Sequence, residues 1–117
     1  MLKKYFALHE LVDGMNEILL SNNLFRTGLL IMDYLYEHRE ANMTDLKKFS
    51  KVSYSRVTRV GDHLVKLGYC SRKNSKHDRR SWILVIKPKG EKFLAEITVK
   101  LQAFYDNNKD KIAIVAK

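Results

Sequence analysis

Cysteine occurs once in this chain of 117 residues, at Cys70. A single thiol excludes a disulfide within the chain, and without a second cysteine at ligand spacing it excludes a cysteine-based zinc site. Cys70 begins a predicted strand beside apolar residues, so we interpret it as a packing residue. The pairs His9 with Asp13 and His77 with Asp78 supply two ligands each, fewer than a metal site needs. The sequence therefore predicts no metal and no cofactor.

Long apolar runs are also missing. No stretch approaches the roughly 18 apolar residues that a helix needs to span a bilayer. Near the N-terminus, His9, Glu10 and Asp13 interrupt the apolar region that a secretory signal would require after Lys3 and Lys4. We therefore expect a cytoplasmic protein that has no membrane partner.

The sequence contains none of the local patterns that carry catalysis. It has no glycine-rich phosphate loop and no Ser or Cys nucleophile with a base at motif spacing. It also has no pair of acids framed by apolar strands. We predict that the protein is not an enzyme and has no catalytic residues.

Positive charge is abundant and confined to one region. The chain has 22 Lys or Arg against 13 Asp or Glu, a formal charge of +9. From Lys47 to Lys92, 14 Lys or Arg face three carboxylates, which leaves +11 in that stretch, and the rest of the chain is close to neutral. Charge gathered in this way points to an anionic partner.

The centre of the basic region predicts a helix that begins after Ser53. Apolar residues recur at helical spacing along it: Val57, Val60, Leu64 and Leu67. Ser53 is suited to cap the helix, and Gly68 is suited to the left-handed position that ends it. The opposite face is cationic and carries Arg56, Arg59, His63 and Lys66.

Two strands with a basic loop between them follow this helix. They are predicted at Tyr69–Lys73 and Ser81–Ile86, with the loop at Asn74–Arg80. A cationic helix followed by a cationic hairpin is typical of a DNA-reading unit, in which the helix enters a major groove and the hairpin meets the neighbouring groove or the backbone. Two plainer readings stay open. The helix cations could be a solvated face, and the loop cations could keep a sheet edge from pairing.

The remaining segments are predicted to be mostly helical. A wide apolar stripe predicts a helix over Leu2–Leu20, which packs on its own domain or on a second copy. Thr27 is expected to cap a helix that runs from Gly28 to about His38, and Glu37–Asn42 is expected to be a polar turn. Thr44 is expected to cap a short third helix, with Leu46 and Phe49 facing inward.

The C-terminal part predicts one more helix and a tail. Pro88 suits the first position of a helix that extends to about Tyr105, because an amide proton there would lack a helical acceptor. Ile112–Ala116 is read as a short apolar tail that is docked on a partner or frayed.

Four segments together resemble the winged helix-turn-helix regulators of the MarR/SarA type. They are Val52–Val60, Leu64–Arg72 with its Leu67-Gly68-Tyr69, the run Asp78-Arg79-Arg80, and Ile86–Gly90. The resemblance implies an α+β, mostly α fold in a single domain. It implies a DNA-binding winged helix at 24–89 and dimerisation helices at 1–22 and 90–117. Pro88 departs from the Thr that the family usually has there, and the short length is closer to the compact SarA-like forms.

The resemblance also assigns roles to residues. Ser55, Arg56, Thr58 and Arg59 of the recognition helix would lie nearest the bases and phosphates. Arg79 of the wing would enter a groove, and Asp78 would brace the wing through Arg80. Lys48 would join other lysines in phosphate contacts. The predicted DNA-binding set is Lys47, Lys51, Ser53, Tyr54, Ser55, Arg56, Thr58, Arg59, His63, Lys66, Arg72, Lys73, Lys76, Arg79 and Arg80.

Sequence reasoning and resemblance together predict a homodimeric, sequence-specific transcriptional regulator, expected to be a repressor, that binds double-stranded DNA at a pseudo-palindromic operator. It would be cytoplasmic and associated with the nucleoid. Two alternatives stay open: a plasmid or phage protein that binds a centromere or origin repeat, and a winged-helix subunit whose basic face meets an acidic protein. The sequence identifies no small-molecule effector.

Overall fold

The structure of the chain is a computed structural model that describes residues 1–75 and 81–117. That part of the chain is mostly helical and contains a small antiparallel sheet, as expected for an α+β fold. In chain order the elements are α1 (Leu2–Ser21), α2 (Arg26–His38), β1 (Glu40–Asn42), α3 (Met43–Ser50), α4 (Tyr54–Lys66), β2 (Cys70–Asn74), β3 (Trp82–Ile86), α5 (Pro88–Asn107) and α6 (Lys109–Ala116).

The chain divides into two compact units. The central unit comprises Thr27–Leu94, and the terminal unit comprises Met1–Arg26 with Ala95–Lys117. By sequence the central unit holds 15 Lys or Arg and seven Asp or Glu, a net charge of +8, so the terminal unit keeps +1 of the total. The central unit therefore holds most of the net positive charge, and it contains the basic stretch Lys47–Lys92 identified in the sequence.

In the central unit, α2, α3 and α4 pack around an apolar core. Its fully buried side chains include Ile31, Met32, Leu35, Leu46, Val57, Leu64 and Leu84. Leu46 faces inward as predicted, but the prediction for Phe49 is wrong. Phe49 is 42% exposed and lies against Tyr34 on the surface, with the ring centres 4.8 Å apart.

Two of the predicted helix caps are wrong. Thr27 lies inside α2, which begins one residue earlier at Arg26, and Thr27 is buried. The cap of α3 is Asn42, whose side chain accepts a hydrogen bond of 2.8 Å from the amide of Asp45, so Thr44 is already within the helix. Asn42 takes this role because it also ends strand β1, which fixes where α3 can begin.

The sheet has the strand order β1-β3-β2, and both pairings are antiparallel. The predicted hairpin is present, with Cys70 opposite Ile86 and Asn74 opposite Trp82. Beyond those ends the amide of Ser75 donates to the carbonyl of Ser81 at 3.1 Å. Strand β1 lies in the segment predicted to be a polar turn, so that prediction is wrong for Glu40–Asn42. A strand of three residues is too short to show the alternation of apolar and polar residues by which strands are predicted. Strand β1 forms because it pairs with β3.

Helix α5 begins at Pro88 as predicted and extends two residues beyond the predicted end. Just before α5, the amide of Lys87 donates to the carbonyl of Tyr69 at 2.9 Å. This hydrogen bond joins the start of α5 to the segment between α4 and β2. Gly68, just after the end of α4, has a φ of +83°, the left-handed conformation predicted for it.

The terminal unit contains α1, the second half of α5, and α6. The Phe104 ring of α5 fills the space beside Gly14 of α1. The Lys111 ammonium of α6 lies 3.1 Å from the carboxylate of Glu10. The C-terminal residues are therefore a helix packed on α1 of the same chain. The prediction of a frayed tail is wrong, and docking on a partner stays a prediction. Among the described residues, no helix is both long and apolar enough to cross a membrane.

Candidate nucleic-acid interface

Helix α4 presents one side to the core and the other to solvent. Val57, Gly61 and Leu64 are buried in the central unit. Ser53 caps the helix as predicted, and its hydroxyl accepts a hydrogen bond of 3.3 Å from the amide of Arg56. The predicted site residues of this helix divide into two groups by exposure. Ser53, Tyr54, Ser55, Arg56, Arg59 and Lys66 are exposed, whereas Thr58 and His63 are half-buried.

The two arginines at the centre of the predicted site have different surroundings. The Nε–H of Arg56 donates to the hydroxyl of Thr27 at 3.5 Å, which ties its guanidinium to α2. Arg59 has no ion pair or hydrogen bond from its side chain within the described ranges 1–75 and 81–117. Of the two arginines, Arg59 is therefore the one whose guanidinium has no partner among the described residues.

Helix α3 contributes further cations beside the start of α4. The Lys47 ammonium lies 4.5 Å from the centre of the Tyr54 ring, a cation–π contact that joins α3 to the first residue of α4. Lys48 and Lys51 are exposed, and Lys51 ends α3 in a left-handed conformation with a φ of 60°. The cations predicted to contact phosphates on this side therefore flank the N-terminal end of α4.

The two cations of strand β2 that were predicted to contact DNA are both paired with carboxylates. Arg72 forms an ion pair with Asp62 of α4, and its guanidinium also lies 4.9 Å from the centre of the Trp82 ring. The Lys73 ammonium lies 2.7 Å from the carboxylate of Glu40 in β1. Sequence reasoning missed Asp62, Glu40 and Trp82, because these contacts join residues from different elements.

Comparison with known proteins identifies the family. The sequence model of the MarR family matches residues 24–82, about half of the chain. The uncharacterized HTH-type transcriptional regulator YpoP of Bacillus subtilis is 31% identical to this chain over 105 residues, which are 90% of this chain and 72% of YpoP. This chain belongs to the MarR family.

Solved structures share the fold. YusO from Bacillus subtilis superimposes with a TM-score of 0.79 at 19% identity, over 86% of this chain and 71% of YusO. Sco3205, a MarR family transcriptional regulator from Streptomyces coelicolor solved in complex with DNA, gives a TM-score of 0.77 at 20% identity, over 89% of this chain and 67% of Sco3205. The fold is therefore the MarR-type winged helix, in which α4 has the position of the recognition helix and the β2–β3 hairpin that of the wing, and we use these two names for them.

The tip of the MarR-type wing falls outside the described residues. The predicted roles of Lys76, Asp78, Arg79 and Arg80 therefore stay predictions. The base of the wing is defined, because β2 and β3 pair along their full length up to Asn74 and Trp82.

One further contact at the end of the recognition helix was not predicted. The Lys89 ammonium of α5 donates to the carbonyl of Leu67 at 3.0 Å and lies 5.4 Å from the centre of the Tyr69 ring. A cation at a helix C-terminus satisfies a carbonyl that has no helical partner and interacts favourably with the helix dipole. Sequence reasoning missed this contact because Lys89 lies 22 positions after Leu67 along the chain.

Cys70 is buried at the start of β2, and burial raises the pKa of its thiol to about 12. A thiol with so high a pKa stays protonated near neutral pH and is a poor nucleophile. This environment agrees with the interpretation of Cys70 as a packing residue. Within residues 1–75 and 81–117, no group of three or more His, Cys, Asp or Glu side chains is arranged to hold a metal ion.

Proposed function

We propose that this MarR-family chain is a sequence-specific regulator of transcription that binds double-stranded DNA as a homodimer at a pseudo-palindromic operator. The observation that carries the proposal is the exposed side of α4. This helix of 13 residues packs on the core through its apolar face, and its Ser55, Arg59 and Lys66 are exposed to solvent. An α-helix fits the major groove of B-DNA, where arginine can bond to two acceptors of a guanine.

In the proposed complex, α4 supplies specificity and the surrounding cations supply affinity. Arg59 would read a base edge, because its guanidinium is available. Lys47, Lys48 and Lys51 would contact phosphates and release counterions, so the affinity would fall steeply with salt. Arg79 at the tip of the wing would contribute a further groove or backbone contact, with Asp78 and Arg80 holding it.

The proposed homodimer rests on α1. Ala7, Leu11 and Leu19 of this helix are buried within the chain. A second apolar face stays exposed and consists of Tyr5, Leu8, Val12 and Met15, which are between 37% and 56% exposed. Burying such a face against its copy would pair two recognition helices. A two-fold dimer then reads half-sites about 34–36 Å apart, which is why its operator would be pseudo-palindromic.

Two relatives support this proposal. Sco3205, which has the same fold, was solved in complex with DNA, and YpoP is named as an HTH-type transcriptional regulator. A protein that acts on operators works where the chromosome is, so we place this chain in the cytoplasm at the nucleoid.

The test combines selection of DNA with measurement of mass. The purified chain is mixed with a pool of random duplexes, bound duplexes are sequenced, and sedimentation equilibrium gives the oligomeric state. We expect a two-fold symmetric consensus and a dimer. Binding that spreads over tandem copies of one site would instead favour a centromere- or origin-binding protein. No duplex binding at about 50 mM salt, where phosphate contacts are strongest, would favour a protein-interaction subunit.

A further inference from the structure

The base of the wing is fastened to the recognition helix by three side chains. Trp82 of β3 lies against Gly61 of α4, so closely that a Cβ atom on Gly61 would come within 2.8 Å of the Trp82 Cη2. The Arg72 guanidinium lies over the ring of Trp82, 4.9 Å from its centre. Arg72 also forms an ion pair with Asp62, the residue after Gly61. We call Asp62, Arg72 and Trp82 the wing bracket.

The strand register explains why these side chains meet. Asn74 is opposite Trp82 and Arg72 is opposite Leu84, so Arg72 and Trp82 lie diagonally on one face of the hairpin. Leu84 on that face is fully buried, which identifies it as the face that packs on the core and α4. The bracket is therefore the outer edge of this packing, at the end of the hairpin nearest the tip of the wing.

The negative charge of Asp62 is an exception on this helix. It is the only carboxylate in α4, and it lies on a helix whose exposed side is otherwise cationic or neutral. A carboxylate near phosphates weakens DNA binding by repulsion and offers no counterion release. Its side chain is 49% exposed, so no burial requirement fixes the residue type. Holding Arg72 is the role that the geometry gives it.

Arg72 is also poorly placed to act as a phosphate contact. Its guanidinium is shared between the Asp62 carboxylate and the face of Trp82, and the side chain is 39% exposed. A phosphate would have to compete with both partners. An arginine that is stacked and paired in this way has a defined position, because its planar group satisfies both contacts at once.

We propose that Asp62 and Arg72 are positioning residues, which fix the wing relative to the recognition helix so that both elements meet one duplex together. This inference rests on the proposed DNA-binding function. It predicts an effect on DNA affinity that is opposite to the effect expected from net charge alone. Removing the negative charge of Asp62 should weaken DNA binding, although the protein becomes more positive.

The experiment compares Asp62→Asn with Asp33→Asn. Asp33 is exposed on α2, and it has no ion-pair partner among the described residues, so the control changes the charge by the same amount without breaking a pair. Binding is measured by fluorescence anisotropy with a labelled duplex that the wild-type protein has selected. We expect Asp62→Asn to bind about 3- to 10-fold more weakly, the range that loss of one partly exposed ion pair and a supported cation–π contact would give. Asp33→Asn should bind as tightly as wild type or slightly more tightly.

Arg72→Gln and the double variant separate positioning from direct contact. If Arg72 positions the wing, the double variant Asp62→Asn with Arg72→Gln should be no weaker than Arg72→Gln alone, because the two residues act as one unit. If Arg72 instead contacts a phosphate independently of Asp62, the losses of the two single variants should add in the double variant.

Trp82 supplies a readout that does not depend on DNA. It is the only tryptophan of the chain, so its fluorescence reports on the bracket alone. We expect acrylamide to quench it more readily in Asp62→Asn and in Arg72→Gln than in wild type, while the far-ultraviolet circular dichroism stays unchanged. Arg72→Lys keeps the charge but loses the planar stack, so it should restore binding only in part.

The outcomes are distinguishable. If wild type binds its selected duplex and Asp62→Asn binds equally well or more tightly, the positioning role is overturned and the proposed function stands. Additive losses in the double variant would also overturn it. If wild type binds no duplex, the proposed function fails and the inference fails with it.

Discussion

Gly90 of α5 lies directly against the carbonyl group of Tyr69, at the corner between the recognition helix and the wing. A Cβ atom on residue 90 would overlap with that carbonyl oxygen, and it would come within 3.2 Å of Ile86 Cγ1. The obstacle is backbone, which cannot rotate away as the end of a flexible side chain can. Only glycine therefore allows the first turn of α5 to pack at this distance.

Gly90→Ala is expected to destabilise the protein, although alanine is normally the better helix former. In an open helix this change stabilises by roughly 0.5–1 kcal/mol. Here the overlap with Tyr69 should lower the free energy of unfolding by about 1–3 kcal/mol, the usual cost of overpacking. Urea titration followed by circular dichroism measures it. Lys92→Ala, an exposed change two residues away, is the control and should be nearly neutral. Equal or greater stability of Gly90→Ala would show that the corner can relax.

Arg59→Ala is expected to weaken binding to the selected duplex by about 1–3 kcal/mol and to relax preference at one base position. The reason is that Arg59 is exposed and has no partner in the part of the chain that the structure describes. Repeating the random-pool selection with the variant measures both effects. Lys92→Ala removes one positive charge from α5 and should leave the consensus unchanged. An Arg59→Ala variant with wild-type affinity and consensus would remove Arg59 from the interface.

Arg79→Ala is expected to weaken binding with a smaller change in sequence preference. The prediction rests on the sequence, since Arg79 is outside the described residues. A tip that contacts the backbone or a minor groove adds affinity but reads few base positions. Anisotropy titrations at one fixed salt concentration compare the variant with wild type. Equal affinity would mean that the tip of the hairpin does not touch DNA.

Val12→Lys is expected to weaken the proposed homodimer. Val12 is 43% exposed at the centre of the second apolar face of α1. A lysine there would bring a charge into an apolar contact, which should weaken dimerisation by about 2 kcal/mol or more. Sedimentation equilibrium measures the dimer constant. Glu17→Lys places the same side chain five residues along the helix, on another side, and should leave the dimer intact. If both variants sediment as wild type does, α1 is not the dimer contact.

Cys70 is expected to resist thiol reagents in the native protein. Burial raises the pKa of its thiol from 9.0 to about 12. At a pH of about 8 this shift lowers the thiolate fraction roughly a thousandfold, and labelling should slow by at least that factor relative to the unfolded chain. Absorbance of the released thiolate of an aromatic disulfide reagent measures the rate. Fast labelling under native conditions would mean that β2 opens readily.

The same shift predicts a loss of stability in alkali. The unfolded thiol ionises above pH 9.0, whereas the native thiol stays protonated up to about pH 12. The contribution of Cys70 is therefore complete below pH 9.0 and is lost as the pH rises towards 12, at about 1.4 kcal/mol per pH unit within that window. Cys70→Val lacks the titrating group, so the difference in unfolding free energy between the two proteins isolates this effect from the lysines and tyrosines.

Local signals in the sequence predicted the recognition helix well. Ser53 and Gly68 act within one helical turn of their own positions, so their roles as cap and left-handed terminator follow from residue type. Val57 and Leu64 repeat at helical spacing and are buried. The resemblance to a winged helix then supplied the order of the elements, and both the family match and the solved structures confirm it.

What depends on contacts between elements was not predictable. Asn42 and Thr44 are both good caps, and the choice between them is made by the pairing of β1 with β3. Phe49 is apolar and three residues after the buried Leu46, yet the buried side of α3 continues through Ser50 and leaves Phe49 at the surface. The ion pair of Asp62 with Arg72 forms only when the hairpin packs on the helix, and the spacing of residues along the chain does not predict that packing.

The burial of Cys70 makes the chain convenient for spectroscopy. Since its one native thiol is shielded, a cysteine introduced at the exposed Ser71 would be the sole position that a nitroxide or a fluorescent maleimide modifies. Two such probes in an assembled pair would form a molecular ruler between the wings. Pulsed electron resonance could then follow how their separation changes when an oligonucleotide is added, in otherwise native protein.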